Sequence, residues 1–121
     1  MSKPQTPKIS AARIAAFEIL QQIEREKAFS SVLLPQYEEN LRPDDRALCH
    51  ALTLGVLRNQ IFLDTVIEHF SGKKINKLDL PVRIALRLGL FQLRFLTKIP
   101  ARAAVNESVN LIYLARLRSA A

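Results

Sequence analysis

The apolar residues of the chain recur at helical spacing, and they are densest between Leu80 and Leu96. One stripe there consists of five residues (Leu80, Ile84, Leu88, Phe91 and Phe95), and further aliphatic residues occupy most other faces. A helix that is apolar almost all round is buried by neighbours on several sides. Gly89 in this stretch, and Gly55 earlier in the chain, would let another helix approach closely. The pattern predicts a central helix from Leu80 to about Lys98.

The same spacing predicts five further helices, and their ends carry recognisable signals. Ser10 is a good N-cap, Pro43 and Pro100 suit first helical turns, and Ser71-Gly72 is a stop signal. The predicted helices run from Ser10 to about Lys27, from Ser30 to Leu41, from Pro43 to about Arg58, from there to Ser71, and from Pro100 onward. Their predicted inward residues include Val32, Leu33, Leu52, Val56, Phe62, Leu63, Val66, Ile67, Phe70, Val105, Val109 and Ile112. The fold class is therefore all-α, a compact bundle of about six helices over residues 10–121, preceded by a flexible basic tail at residues 1–9.

Charge is distributed unevenly along the chain, whose formal net charge is +7. Residues 1–17 carry three basic groups and no acidic one, whereas residues 18–70 carry five basic against nine acidic groups. Residues 71–106 carry eight basic groups against Asp79 alone. Such asymmetry indicates a face that attracts polyanions, most plausibly nucleic acid, although a merely solvated basic surface is the alternative. The candidate RNA-binding residues are Lys3, Lys8, Arg13, Lys73, Lys74 and Lys77.

Motifs that would indicate catalysis are missing from the sequence. There is no glycine-rich phosphate loop, no nucleophile elbow, and no histidine and carboxylate pair at metal-ligand spacing. Cys49 lies on the apolar side of a predicted helix, which favours a buried structural thiol over a nucleophile. One cysteine fits a reducing cytosol, and no stretch is long and apolar enough to cross a bilayer. We expect a cytoplasmic, non-catalytic chain with no metal, no cofactor and no membrane contact.

Arg87 is unusual because it lies on the narrow polar line of an otherwise buried helix. An unpaired charge there would be costly, so a carboxylate partner is expected. Glu107 lies on the next helix beside Asn106, and an Arg87–Glu107 ion pair that docks the last two helices is the hypothesis. Arg83 is the alternative partner for Glu107. Direct contact of Arg87 with RNA is the less favoured interpretation, given the apolar residues that flank it.

Three ordered segments resemble a known family. They are ARIAAFEIL at Ala12–Leu20, LTLGVLRNQIFLD at Leu52–Asp64 and VRIALRLGLFQLRFLTKIPARAAVNESV at Val82–Val109. Together they resemble the NusB-like RNA-binding domain over about residues 11–118. Within that family the resemblance is to the N-terminal domain of the Sun-type (RsmB-like) 16S rRNA cytosine-C5 methyltransferases.

The resemblance implies RNA recognition without chemistry on this chain. The family's methyltransferases continue into a catalytic domain that binds S-adenosylmethionine, and the family's domain has one more helix than this chain provides. We therefore expect a C-terminally truncated domain with an apolar groove left open where that helix would lie. The partner would be RNA, 16S rRNA in the first place. The alternative is a NusB-type antitermination or protein-interaction domain that docks on a ribosomal protein or on a catalytic domain.

Overall fold

Six α-helices and a single turn of 3₁₀ helix form the part of the chain that the computed structural model describes, residues 9–96 and 100–120, with side chains as far as Leu117. The helices are α1 (Ala11–Glu26), α2 (Ser30–Glu38), α3 (Pro43–Arg58), α4 (Gln60–Ser71), α5 (Leu80–Phe95) and α6 (Ala101–Ala120), with the 3₁₀ turn at Ile75–Lys77. The predicted all-α class and the number of helices are confirmed. Lys98, the predicted end of the central helix, lies outside the described residues, and α5 ends at Phe95.

Local sequence signals explain most helix ends. The Ser10 hydroxyl accepts a hydrogen bond from the backbone N–H of Arg13, which satisfies one of the free donors at the start of α1. Gly72 ends α4 with φ of 72°, a left-handed conformation that glycine adopts without strain. Helix α2 contains Pro35 and ends at Glu38, three residues before the predicted end at Leu41. Proline lacks the N–H that an interior helical position would donate, so α2 has one backbone hydrogen bond fewer at Pro35.

Helix α5 lies at the centre of the bundle, as its apolar pattern predicts, and packs against α1, α3, α4 and α6. Helices α5 and α6 are antiparallel neighbours. The buried apolar side chains form one continuous core, whose largest fully buried members are Ile19, Leu52, Val56, Leu63, Ile84, Leu88 and Leu111. Burial of this apolar surface on several sides of α5 is the main contribution to the stability of the fold.

Both predicted close-approach glycines are confirmed by the space around them. A Cβ atom on Gly55 would clash with Cζ of Phe91, so the Phe91 ring rests on the backbone of α3. A Cβ atom on Gly89 would clash with Oγ of Ser108, so α5 and α6 approach closely there. In both places the missing side chain sets the distance between two helices.

The predicted inward face of α6 is wrong. Val105 and Val109 are about half exposed, and the buried line consists instead of Ala104, Ser108, Leu111 and Ala115. Small residues on that line allow the close contact with Gly89, which larger valine side chains would prevent. The predicted inward positions Val32, Phe62 and Phe70 are also exposed, at 54%, 44% and 82%.

The valines of α6 line an apolar groove that runs between α4, α5 and α6. The other lining residues come mainly from the outer faces of the three helices and include Val66, Ile67, Phe70, Leu86, Leu90, Leu93 and Ile112. An open apolar groove was expected from the sequence, and one is present. Its existence also explains why the valine stripe of α6 has the pattern of a core face while remaining exposed.

Candidate nucleic-acid interface

Two arginines of α5 are neutralised inside the bundle. Arg87 is 3% exposed and donates from Nε and Nη2 to the two carboxylate oxygens of Asp64, at 2.7 and 3.0 Å. Its Nη1 donates to Glu24 at 2.9 Å, and Nη1 of Arg83 donates to the other oxygen of Glu24 at 2.5 Å. These contacts connect α1, α4 and α5 through paired charges, so neither arginine is available to a nucleic acid.

The ionisation of this cluster follows from burial and pairing. Burial would raise the pKa of Glu24, but hydrogen bonds and charge from Arg87 and Arg83 outweigh it and lower that pKa. Burial would lower the pKa of Arg87, and the hydrogen bonds and charges of Asp64 and Glu24 raise it instead. The cluster is therefore held in its charged form.

The predicted ion pair between Arg87 and Glu107 is wrong, although the expectation that Arg87 has a carboxylate partner is confirmed. Glu107 pairs with Arg13 across the α1–α6 contact, at 2.5 Å between Nη1 and Oε2. Arg83, the alternative partner, bonds to Glu24. The helix that follows α5 in sequence does not supply the partner, because α1 and the preceding helix α4 place Glu24 and Asp64 on the polar line of α5.

Arg13 is buried rather than presented to solvent. It is 8% exposed, its Nε donates to Oε1 of Gln92 at 2.7 Å, and Glu107 also accepts from the backbone N–H of Ser10 at 2.8 Å. This placement disfavours the predicted phosphate contact, because the side chain is buried and its Nε and Nη1 already bond to Gln92, Ser10 and Glu107. Lys3 and Lys8, predicted together with Arg13, lie outside the described residues.

The three predicted lysines of the α4–α5 connection are exposed and close together. Lys73, Lys74 and Lys77 are all accessible, and within the described residues none of them forms an ion pair. The connection is ordered by Glu68, whose Oε2 accepts from the backbone N–H of Ile75 at 2.7 Å. Fixed backbone and unpaired ammonium groups suit contact with phosphates.

The predicted basic residues do not form one site. The α4–α5 connection with Lys73, Lys74 and Lys77, called the lysine connection below, lies at the N-terminal end of α5. The contacts of Ser10 and Arg13 bring the start of α1 to the C-terminal end of α5. At 1.5 Å per residue, the ends of the sixteen-residue helix α5 are about 22 Å apart. The residues before Ile9 therefore attach at the far end of the bundle from the lysine connection.

Three exposed arginines among the described side chains of the last two helices were not predicted as site residues. Arg94, Arg102 and Arg116 are accessible on α5 and α6. In the same region the only acids are Asp79, which is exposed, and Glu107, which Arg13 neutralises. Arg94 shares the helical phase of Arg83 and Arg87, so only the position of the neighbouring helices along α5 distinguishes the exposed arginine from the two paired ones.

The described residues offer no cluster for metal binding and no reactive thiol. No group of three or more His, Cys, Asp and Glu side chains is placed to hold a metal ion in the part of the chain that the structure covers. Cys49 is buried, and burial raises the pKa of its thiol, which disfavours the reactive thiolate. None of the described helices is long and apolar enough to cross a membrane.

Comparison with known proteins gives consistent matches over most of the chain. A family model described as the NusB family matches residues 10–120. A probable ribosomal RNA small subunit methyltransferase B of Synechocystis sp. is 40% identical over 84% of this chain and 23% of the relative. A protein of Bacillus subtilis with the same description is 36% identical over 86% of this chain and 24% of the relative. The chain thus spans about a quarter of the length of these methyltransferases.

Two further matches concern proteins of similar length. The transcription antitermination protein NusB of Latilactobacillus sakei is 36% identical over 82% of this chain and 78% of the relative. Among solved structures, a chain in the crystal structure of a plectonemic RNA supercoil has a TM-score of 0.66 and 24% identity, over 88% of this chain and 94% of that chain. At this identity the structural likeness shows the fold.

Proposed function

Because the chain belongs to the NusB family, we propose that it is an RNA-binding helical module that contacts phosphates through the exposed cations of α5, α6 and the connection before α5. One observation carries the proposal. Among the side chains that the structure describes, six exposed basic ones lie in that region against the single exposed acid Asp79, and they are Lys73, Lys74, Lys77, Arg94, Arg102 and Arg116. The carboxylates that could compete for them, Glu107 and Asp64, already pair with interior arginines.

The RNA we propose is ribosomal, with the chain acting as the 16S rRNA-binding part of a cytosine-C5 methyltransferase. The similarity to small subunit methyltransferases B of Synechocystis sp. and B. subtilis supports this role. The chain would hold the substrate RNA while a separate catalytic domain, with its S-adenosylmethionine, performs the methyl transfer. No residue of the described region is assigned a catalytic role.

A NusB-type role in transcription antitermination is the second candidate. It is supported by the L. sakei relative, 78% of which the match covers. In this role the acidic residues of α1–α3, including Glu26, Glu39 and Asp44, would face a basic ribosomal protein. Direct binding of a ribosomal protein with no salt-sensitive RNA binding would favour this candidate.

The test is a binding titration of the chain with a single-stranded 16S rRNA fragment at several salt concentrations. If about four phosphates are contacted, log K falls with log salt at a slope near −3. Changing Lys73, Lys74 and Lys77 to Ala should reduce the magnitude of that slope by about 2. Binding that is absent at low salt, or insensitive to salt, would contradict the proposal.

A matched control removes positive charge from the acidic region of α1–α3. Arg42 and Arg46 are exposed on α3, and their double change to Ala should leave the slope unchanged. A Lys3→Ala/Lys8→Ala variant removes the same charge from the tail. If this variant lowers the slope while the lysine connection variant does not, the phosphate contacts belong to Lys3 and Lys8 rather than to the lysine connection.

A further inference from the structure

Aromatic surface is more abundant than the sequence pattern predicts. Four of the six phenylalanines are at least 40% exposed, namely Phe29, Phe62, Phe70 and Phe95. The helical pattern places most of them on core faces, where they would be unavailable to a ligand. Exposed aromatic rings leave apolar surface in contact with water, which is unfavourable. A contacting pair of such rings on a basic surface therefore indicates a functional role.

Only two of these exposed rings touch one another. Phe62, at the start of α4, and Phe95, at the end of α5, meet edge to face with their ring centroids 6.1 Å apart. They are 44% and 41% exposed, so each ring keeps about half of its surface for a partner. We call this pair the Phe62–Phe95 platform.

The platform has a rigid backing. Phe91, which is 6% exposed, stacks against Phe95 with centroids 5.3 Å apart and planes inclined by 27°. The ring of Phe91 in turn rests on the backbone at Gly55, where no side chain intervenes. Phe95 is therefore supported from the core, and its orientation is fixed before any ligand arrives. A pre-ordered ring lowers the entropic cost of binding.

Positive charge flanks the platform. The guanidinium carbon of Arg94 lies 5.6 Å from the centroid of the Phe95 ring, within the range of a cation–π contact. Gly89 faces Ser108 across the antiparallel α5–α6 pair, so by equal rise Phe95, six residues further along α5, is level with Arg102 of α6. Arg102 is exposed, and the start of α1 reaches the same end of the bundle through Ser10.

The carboxylates of the helices that form this surface do not pair with Arg94 or Arg102. Asp64, Glu68 and Glu107 are the acids of α4, α5 and α6, and each accepts a hydrogen bond inside the protein. Exposed rings beside unopposed arginines match the requirements of an unpaired nucleotide, whose base offers an aromatic face and whose phosphate carries negative charge.

We propose that the Phe62–Phe95 platform binds an unpaired nucleobase of RNA by stacking, while Arg94 and Arg102 contact the adjoining phosphates. The inference rests on the proposed RNA-binding function and extends it from phosphate contact to base contact. It places the base-binding site at the C-terminal end of α5, away from the lysine connection. Recognition there tolerates any sequence, because every base has an aromatic face.

The experiment compares two single-stranded RNAs that share one backbone, the first with all its bases and the second with abasic sites. The wild-type chain should bind the base-containing RNA more tightly. Phe95→Leu and Phe62→Leu keep apolar bulk but remove the ring, and each should weaken binding of that RNA by roughly 5- to 100-fold. Binding of the abasic RNA, and the salt slope of both, should not change.

Phe29→Leu is the matched control, since Phe29 is 73% exposed and makes no ring contact among the described residues. It should leave both affinities unchanged. Arg94→Lys keeps the charge and the packing of Phe95 while removing the planar guanidinium, and it should weaken binding of base-containing RNA by a smaller factor. This variant tests the site even if the leucine variants lose helicity or melt at a lower temperature.

The outcomes distinguish the two proposals. Salt-sensitive RNA binding that ignores Phe62→Leu, Phe95→Leu and Arg94→Lys would overturn the platform and leave the RNA-binding function standing. No RNA binding by the wild-type chain would overturn both. Self-association of the wild-type chain in sedimentation, abolished by Phe95→Leu and indifferent to RNA, would reassign the platform to a contact between two copies.

Discussion

Arg87 and Lys74 carry the same charge in neighbouring segments of the chain, and their surroundings are opposite. Arg87 is enclosed by Asp64 and Glu24, with every contact made inside the protein. Lys74 is exposed and has no ion-pair partner among the described residues. The first arrangement fixes how three helices meet, and the second leaves a charge for an external partner. A basic sequence therefore does not specify how much of its charge a polyanion can reach.

The same contrast distinguishes two ends of the molecule that both carry exposed cations. At the N-terminal end of α5, the lysine connection offers exposed ammonium groups, and the ring contact beside it is the exposed His69–Phe70 pair at the end of α4. At the C-terminal end, arginines accompany the Phe62–Phe95 platform, which Phe91 supports from the core. Both ends suit phosphates, and the C-terminal end adds a pair of exposed phenylalanine rings beside arginines. The following variants test the difference between interior and surface charge, in order of their expected effect on stability.

Removing one carboxylate of the interior cluster should have the largest effect. Asp64→Ala deletes both hydrogen bonds of the bidentate pair and leaves the buried Arg87 with Glu24 alone. We expect the free energy of unfolding to fall by about 3 kcal/mol, because an incompletely paired buried charge is costly. Urea unfolding followed by circular dichroism measures it.

Asp44→Ala is the control for that variant. Asp44 is exposed, and its only ion pair, with Arg42, is 4.0 Å long. Such pairs contribute less than about 1 kcal/mol. Equal losses in the two variants would contradict the distinction between interior and surface charge.

Acid should weaken the interior cluster through Glu24. Its pKa in the folded protein is lower than its ordinary value of 4.5. The ionised form is therefore favoured by folding, and this contribution is present above about pH 4.5 and lost as the pH falls through the folded value. Glu24→Gln should flatten the decline of unfolding free energy below that pH, measured by urea titrations at several pH values.

A comparison at neutral pH completes this test. Glu24→Gln should already be less stable than the wild type there, because the charge partner of Arg83 and Arg87 is missing. If the wild type and the variant lost stability in parallel on acidification, another carboxylate would dominate the acid response. Glu39→Gln, on the exposed surface after α2, is the corresponding control.

The smallest effect on stability is expected from the lysine connection. Changing Lys73, Lys74 and Lys77 to Ala should alter the free energy of unfolding by no more than about 0.5 kcal/mol, since these side chains make no ion pair in the described structure. The same variant should reduce the salt dependence of RNA binding. A marked loss of stability would show that the lysines are part of the fold.

Particular residues show how far the sequence could predict this structure. Ser10, Pro43 and Gly72 mark helix ends through local backbone chemistry, so these boundaries were predictable without any knowledge of the fold. Gly55 and Gly89 were correctly assigned to close helix contacts. Val105 and Val109 were predicted to face the core but are exposed. An apolar stripe that lines an open groove has the same spacing as one that faces a core.

The candidate site was less predictable than the fold. Lys73, Lys74 and Lys77 were identified correctly as an exposed basic cluster, since a short connection between two helices has little opportunity to bury them. Arg13 was predicted to be available to RNA, but it is buried and paired. Its partners Glu107 and Gln92 could not be foreseen, because they are about 80 or more positions away in the sequence. The Phe62–Phe95 contact was not anticipated, for the same reason of distance along the chain.

The sequence by itself determined the helices, their ends, the central position of α5 and the excess of positive charge, because each depends on local backbone preference or on composition. Only the tertiary structure decided which charges are neutralised and which rings are exposed. Pairing and exposure are properties of neighbours, and in a helical bundle most neighbours of a side chain belong to other helices. For Arg13, Arg87 and Phe95, the partners that define their roles lie on α5 and α6, on α1 and α4, and on α4 respectively.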